Sequence, residues 1–334
     1  VTAHDLSELR ASIEALQGDD PTATPEVSLD DVEPLLAAAE AAAAAATDPD
    51  TVDDVVASAL WLRSAAALRS DDYARDIAVM LDGASRMRDL GQLHRSARMW
   101  MWAGNRAGLA GDRAAALSAF EEARRDARAV ADVRLVAQCD DALAAAHWEL
   151  GRLDLAEQHL RSALAVWNAT SDAAAIAYAQ YRLGWCLAAD RCGENRGDEA
   201  LDLLGKARAT AQEHDDVRLA ASCDEKAAWV LGERGDIDRS IALLRSAIDV
   251  FDALGDDYAR FVASTNLAQH LLDRRQPAEA EALLREATAA EGAHTRHVRL
   301  GATSRLASLL CRTGRADEAL RLLEAAAGDV DADD

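Results

Sequence analysis

Proline is scarce and unevenly placed. Of five in 334 residues, Pro21, Pro25, Pro34 and Pro49 fall in the first fifty. The rest of the chain is therefore almost free of the residue that breaks helices. Aromatic residues make up only 4% of the chain, and β-branched residues are few, which argues against a sheet-built core. The five cysteines are odd in number and show no metal-ligand spacing, so a disulfide scaffold or zinc site is not indicated. No long apolar run is present: Ala41–Ala46 is alanine beside Glu40, far from a bilayer-spanning helix. No basic segment precedes an apolar one at the N-terminus. Catalytic signatures are missing too, with no Gly-rich loop leading to Lys-Ser/Thr, no His-Glu-x-x-His and no Gly-x-Ser-x-Gly. The net charge of −23 disfavours DNA or RNA, whose phosphates it repels. An acidic surface favours a basic partner or serves solubility. Only Lys206 and Lys226 are lysines among 36 basic residues, a bias that fits a high-GC bacterial genome. The chain begins at Val1, read as a non-standard start codon or a processed end. Both readings suit a cytoplasmic location.

What the chain has in abundance is alanine, leucine, arginine, aspartate and glutamate, the helix-forming set. These residues recur in a fixed order. A small residue stands at Ala116, Ala156, Ala200, Ser240, Ala280 and Ala319, at intervals of 40, 44, 40, 40 and 39. Four residues later comes Phe120, Leu160, Leu204, Leu244, Leu284 or Leu323, and three further on Ala123, Ala163, Ala207, Ala247, Ala287 or Ala326. A breaker precedes each small residue: Gly111, Gly151, Gly235 and Gly314, Arg275 before Gln276-Pro277, and Asn195 in a loop with Gly197. The longer interval comes from a loop insertion around Asp190–Asn195. Apolar residues keep helical spacing on both sides of each breaker, so each unit reads as two helices. Asp132, Asp172, Asp216 and Asp257 stand where they can cap the first helix of a unit. A period of this kind marks a solenoid.

The Leu-Gly and Leu-Ala pairs at Leu183-Gly184, Leu267-Ala268 and Leu306-Ala307, the breaker and the Ala…Leu…Ala series together resemble the tetratricopeptide repeat family. The match is to its longer version of about 40 residues found in bacterial regulators and scaffolds. The segment Phe251–Asp257 fits that version as well. The expected fold is all-α, a right-handed superhelical solenoid of helix-turn-helix repeats. Residues 1–50 read as an N-terminal helical cap or docking arm, 51–95 as degenerate helical repeat units, 96–327 as six repeats, and 328–334 as an acidic tail. Within 1–50 the pattern predicts helices at Asp5–Gln17 and Val32–Ala46.

The resemblance also implies which residues face the concave groove, since the first helices line it in this family. Those positions select Met101, Trp102, Asn105, Asp141, Trp148, Tyr178, Tyr181, Arg182, Trp185, Glu225, Trp229 and Gln269, with Thr265 as a neighbour. Tyr178, Tyr181 and Trp185 share a helix face by their spacing. Trp148, Trp185 and Trp229 come from successive first helices. Close packing across a narrow groove is the alternative for this aromatic stripe. Trp100 takes the family's structural tryptophan position and reads as core. The carboxylate-clamp set of the family is matched only at Asn105 and Arg182. The expected partner is therefore a protein or extended peptide with apolar and basic residues, not an acidic C-terminus. Cys139 and Cys223 read as small packed residues, a reversible Cys186–Cys192 bond is left open, and His294-x-x-His297 beside Glu291 reads as a solvated loop. The reading is a non-catalytic scaffold or adaptor without cofactor, metal, nucleic acid or membrane. Alternatives are a peptide-responsive sensor or a structural homo-oligomer assembled through the N-terminal helices.

Overall fold

A computed structural model describes residues 9–13, 15–16, 28–45, 50–67, 72–189, 194–289 and 296–331. Among these residues there are helices and turns but no strand. The chain divides into two compact units, Val1–Thr170 and Ser171–Asp334. The first holds α1 (Leu29–Ala45), α2 (Asp50–Ala67), α3 (Tyr73–Asp89), α4 (Leu93–Leu109), α5 (Arg113–Ala129), α6 (Val133–Glu149) and α7 (Leu153–Thr170). The second holds α8 (Ala173–Ala189), α9 (Glu194–Glu213), α10 (Val217–Glu233), α11 (Ile237–Leu254), α12 (Asp257–Asp273), α13 (Pro277–Thr288), α14 (Arg296–Arg312) and α15 (Ala316–Asp331). Consecutive helices within each unit pack on one another, the arrangement of an α-solenoid of helix pairs. The six repeated motifs fall on the pairs that begin with α4, α6, α8, α10, α12 and α14. Among the described residues no helix is long and apolar enough to cross a membrane.

The helix ends follow from their sequence. Aspartates at 72, 112, 132, 216, 236 and 256 cap α3, α5, α6, α10, α11 and α12, each accepting from a backbone N–H three residues on. Asp172 does the same for Ala175 at 3.1 Å. The expected cap Asp257 is instead the first residue of α12, and Asp256 takes the role. The tandem Asp-Asp leaves either residue available, and the left-handed Gly255 sets the chain direction one residue earlier. The turns after the first helices use a residue at positive φ, glycine at 111, 151, 235 and 314 and Arg275 at φ 59°. Asn195 and Gly197 do not form a loop; α9 starts at Glu194 and takes both into its first turn. Residues 190–193, 290–295 and 332–334 lie outside the described set. So do Cys192 and the surroundings of His294 and His297, together with the expectations placed on them. The expected helix at Asp5–Gln17 is seen as helical residues 9–13 and 15–16, and that at Val32–Ala46 as α1.

The motif residues make the core. Ala116, Ala156, Ala200, Ser240, Ala280 and Ala319 are buried, as are Phe120, Leu160, Leu204, Leu244 and Leu284. In the last pair Leu323 remains 45% exposed; among the described residues α15 packs chiefly on α14. Ser240 fits among alanines because its hydroxyl donates to the carbonyl of Ala228 at 2.7 Å. Cys139, Cys186 and Cys223 are buried; burial pushes the Cys139 and Cys223 thiols up to about 12, so they behave as small packed residues. Trp100 packs between two core clusters with the Arg88 guanidinium 5.4 Å from its ring centroid. Three buried carboxylates of the first unit are each met by an arginine: Asp76 by Arg106 at 2.6 Å, Asp126 by Arg88 at 2.8 Å, and Asp140 by Arg124 at 2.9 Å.

Large and small side chains are matched across the helix pairs. Phe120 replaces the usual leucine and lies against Gly104, where a Cβ would come closer than 3.0 Å to three atoms of the ring. In the next pair the equivalent positions hold Ala144 and Leu160, both buried. Gly104→Ala is therefore expected to cost about 1–3 kcal/mol through overpacking, more than the ~1 kcal/mol that alanine gains in helix propensity. Adding Phe120→Leu should recover part of the loss. Urea unfolding of both variants checks this; an unchanged midpoint for Gly104→Ala would contradict the fit.

Candidate functional site

In the second unit the first helices approach one another directly, α8 with α10, α10 with α12, and α12 with α14. The second helices α9, α11, α13 and α15 show no comparable approach among the described residues. The face made by the first helices is thus the inner one, and it carries most of the aromatic residues expected there. Tyr178 is 52% exposed on α8, with the Tyr181 ring 6.1 Å away and the Arg182 guanidinium 5.9 Å from its own centroid. Trp185 meets Trp229 edge to face, with centroids 6.3 Å apart and planes at 84°. Both indoles are half-buried, so each keeps surface open along the groove.

The polar floor between these rings was not foreseen in full. Glu225 is buried at 5% exposure; it accepts from Asn266 Nδ2 at 2.9 Å and pairs with Lys226 Nζ at 2.6 Å. The same ammonium sits 4.2 Å from the Trp185 centroid, a cation over an aromatic face. Glu225 is therefore already engaged and forms floor, not rim. Burial pushes the Tyr181 phenol upward and the nearby Glu225 charge adds to this, so the hydroxyl stays protonated. Tyr258 is shifted in the same direction by burial and by Glu225. Gln269 lines a hollow of about 330 Å³ with Trp229, Asn266, His270, Asp273 and Arg305. Burial lowers the pKa of His270, which keeps it neutral at neutral pH. Thr265 belongs elsewhere: it is buried and donates to the Phe261 carbonyl at 2.7 Å.

The first unit has a hollow of its own. Met101, Trp102 and Asn105 on α4 line a hollow of about 360 Å³ with His94, Arg98, Asp132, Arg134, Leu135 and Gln138. Trp102 lies against Trp61, with centroids 4.5 Å apart and planes tilted by 43°, and Trp61 is a residue of α2 that sequence reasoning passed over. Its signal was available: Trp61 lies 41 residues before Trp102, about one repeat upstream. Asp141 accepts from Trp167 Nε1 at 3.2 Å and so ties α6 to α7. Trp148 is half-buried on α6 and is not part of the hollow wall. The structure therefore groups Met101, Trp102 and Asn105 in one unit, and Tyr178, Tyr181, Arg182, Trp185, Glu225, Trp229 and Gln269 in the other.

With this geometry in place, comparison with known proteins gives a consistent result. Residues 136–173, spanning α6 and α7, match the family model described as tetratricopeptide repeat. That segment is similar to a tetratricopeptide repeat. Within each unit the described helices pack in succession, as helix-pair repeats do. The apo form of RapI aligns with a TM-score of 0.63 at 9% identity, over 80% of this chain and 95% of that one. Aspartyl phosphate phosphatase F from Bacillus subtilis gives 0.61 at 11% identity, over 97% and 82%. The apo form of the quorum sensor NprR from B. thuringiensis gives 0.54 at 11% identity, over 97% of each chain. At these identities the likeness is one of fold. No curated protein matches the chain in sequence.

Proposed function

We propose that this protein is a non-catalytic peptide- or protein-binding adaptor that holds an extended segment of its partner on the faces lined by its first helices. The observation that carries the reading is the Tyr178–Tyr181 and Trp185–Trp229 row on α8 and α10. Four aromatic side chains share one inner face, and Tyr178 is 52% exposed on it. Large rigid side chains of this kind dominate binding energy at interfaces because they bury much area for little entropy. Along this row the suited partner carries apolar residues for the rings and basic ones for the carboxylates of Glu233 and Asp273 beside Trp229. The buried carboxylates support the non-catalytic reading, since Asp76, Asp126 and Asp140 are each held by an arginine as packing elements. That the similarly folded chains include a quorum sensor favours a regulatory variant, in which peptide binding changes the pitch of the stacked repeats.

Tyr178→Ala separates binding from folding, because removing a half-exposed ring opens no cavity. A binding peptide selected from a random library serves as probe. Affinity is expected to fall about tenfold or more, while stability stays within about 0.5 kcal/mol of the parent. A library that yields no binder, or a binder indifferent to Tyr178→Ala, would overturn this reading.

A further inference from the structure

Among the half-buried arginines described in the first unit, a carboxylate partner is the rule. The first unit has seven half-buried arginines among its described residues: Arg63, Arg86, Arg88, Arg95, Arg98, Arg106 and Arg124. Arg63 pairs with Glu33 and Asp82, Arg86 with Glu40, Arg88 with Asp126 and Glu122, Arg95 with Asp54, Arg106 with Asp76, and Arg124 with Asp140. Arg98 is the exception. Its guanidinium lies 5.6 Å from the Trp61 centroid and faces the hollow on α4 and α6, with no carboxylate partner among the described residues. In a chain with 59 acidic and 36 basic residues, an unmatched, partly desolvated guanidinium is an unusual expense.

The rest of the hollow has the same character. Asn105 and Gln138 place uncommitted amides on its two walls, and Arg134 adds a second guanidinium. The wall carboxylate Asp132 is already taken, by the Leu135 N–H at 2.9 Å and by His94 Nε2 at 3.1 Å. Trp61 holds the Arg98 guanidinium from one face, which leaves its N–H fork free to meet a carboxylate edge-on in the bidentate manner. The aromatic pair Trp61–Trp102 beside it offers apolar surface to the stem of such a side chain.

We infer that this hollow is a carboxylate station: an aspartate or glutamate side chain of the partner segment docks against Arg98, with Asn105 and Gln138 as further donors. The inference rests on the peptide-binding reading and extends it, since a partner chosen only for the second unit would be apolar and basic. It reverses the acidic bias of the whole chain at one defined place.

The test uses the full chain and a positional-scanning library of short peptides, acetylated and amidated so that only side chains carry charge. Asp and Glu are expected to be enriched at one position by about tenfold or more over Asn and Gln, in line with a charge-assisted pair. Arg98→Met keeps the apolar stem over Trp61 and should erase that preference, while Arg98→Lys should restore part of it. Melting curves of both variants confirm that they are folded. Enrichment of apolar and basic residues alone, or an acidic preference that survives Arg98→Met, overturns the station but leaves peptide binding standing. A preference seen only in a parallel library with free C-termini overturns the side-chain source. A library with no enriched peptide overturns both readings together.

Discussion

Asp140→Ala is expected to destabilise the first unit by about 3 kcal/mol, among the largest single effects a polar substitution can have here. Asp140 is only 1% exposed and accepts from Arg124 at 2.9 Å, His159 Nδ1 at 2.8 Å and the Ser162 hydroxyl at 2.8 Å. It thus joins α5, α6 and α7 through one carboxylate. Removing it leaves a guanidinium, an imidazole and a hydroxyl without their acceptor. Arg124 retains 22% exposure, which lets water relieve part of the penalty and places the value at the lower end of the ~3–5 kcal/mol usual for a broken buried pair. Chemical denaturation of the variant beside the parent measures it; a loss under about 1 kcal/mol would show that the network is ornamental.

The pH dependence carries a second signature of the same network. Burial pushes the Asp140 carboxyl up, but hydrogen bonds from His159, Arg124 and Ser162 outweigh it and leave the pKa below the usual 3.8. Its folded pKa is depressed, so its contribution is present above 3.8 and is lost as pH falls through the folded value. The Asp140→Ala variant lacks that acid limb. The equivalent Asp224 has Arg208 at 2.7 Å but neither a histidine nor a serine, and there burial wins and the pKa rises. His147 stacks on His159 at 5.5 Å, and burial together with the His159 charge lowers its pKa from 6.5. A histidine with a depressed folded pKa destabilises the fold as pH drops below 6.5, because the unfolded chain takes the proton first. Parent and variant should therefore share a loss below 6.5 and differ below 3.8.

Trp229→Ala is expected to weaken partner binding by about 2–4 kcal/mol, about 30-fold or more in affinity. Trp229 stands at the junction of the aromatic row and the hollow of the second unit, edge to face with Trp185. A tryptophan deep in a core would instead cost about 3–5 kcal/mol of folding stability. Because this indole is only partly buried, its folding cost should be nearer the ~0.5–1.5 kcal/mol of an aromatic pair plus part of its burial. Affinity and unfolding measured on the same variant decide between the two. A large fall in stability with affinity retained would assign Trp229 to packing.

Much of the architecture could be read from spacing. The Ala…Leu…Ala series fell on the buried face of every second helix but the last, where Leu323 is exposed, because a helix shows one face to its neighbour at that period whatever lies further away. The capping aspartates were legible for the same reason, since a cap is satisfied within three residues. Where local signals were degenerate, reading failed: Asp256 and Asp257 are equivalent on paper, and Asn195 resembled a breaker although α9 absorbs it. The groove residues were legible as members of the first helices. Their company was not. Lys226 reaching Trp185, Asn266 reaching Glu225 and Trp61 covering Trp102 all join residues about a repeat apart. Such pairs depend on how far one helix is rotated against the next.

The sequence by itself therefore determined that this protein is a stack of helix pairs, where most of those helices begin and end, and which faces are apolar. These are consequences of short-range hydrogen bonding and of helical periodicity. Only the tertiary structure decided which carboxylates are spent on arginines, which tryptophans keep surface open, and that Arg98 faces a hollow with no carboxylate paired to it among the described residues. Those outcomes depend on desolvation and on distances of a few ångströms between helices brought together only by packing, and no local pattern encodes them.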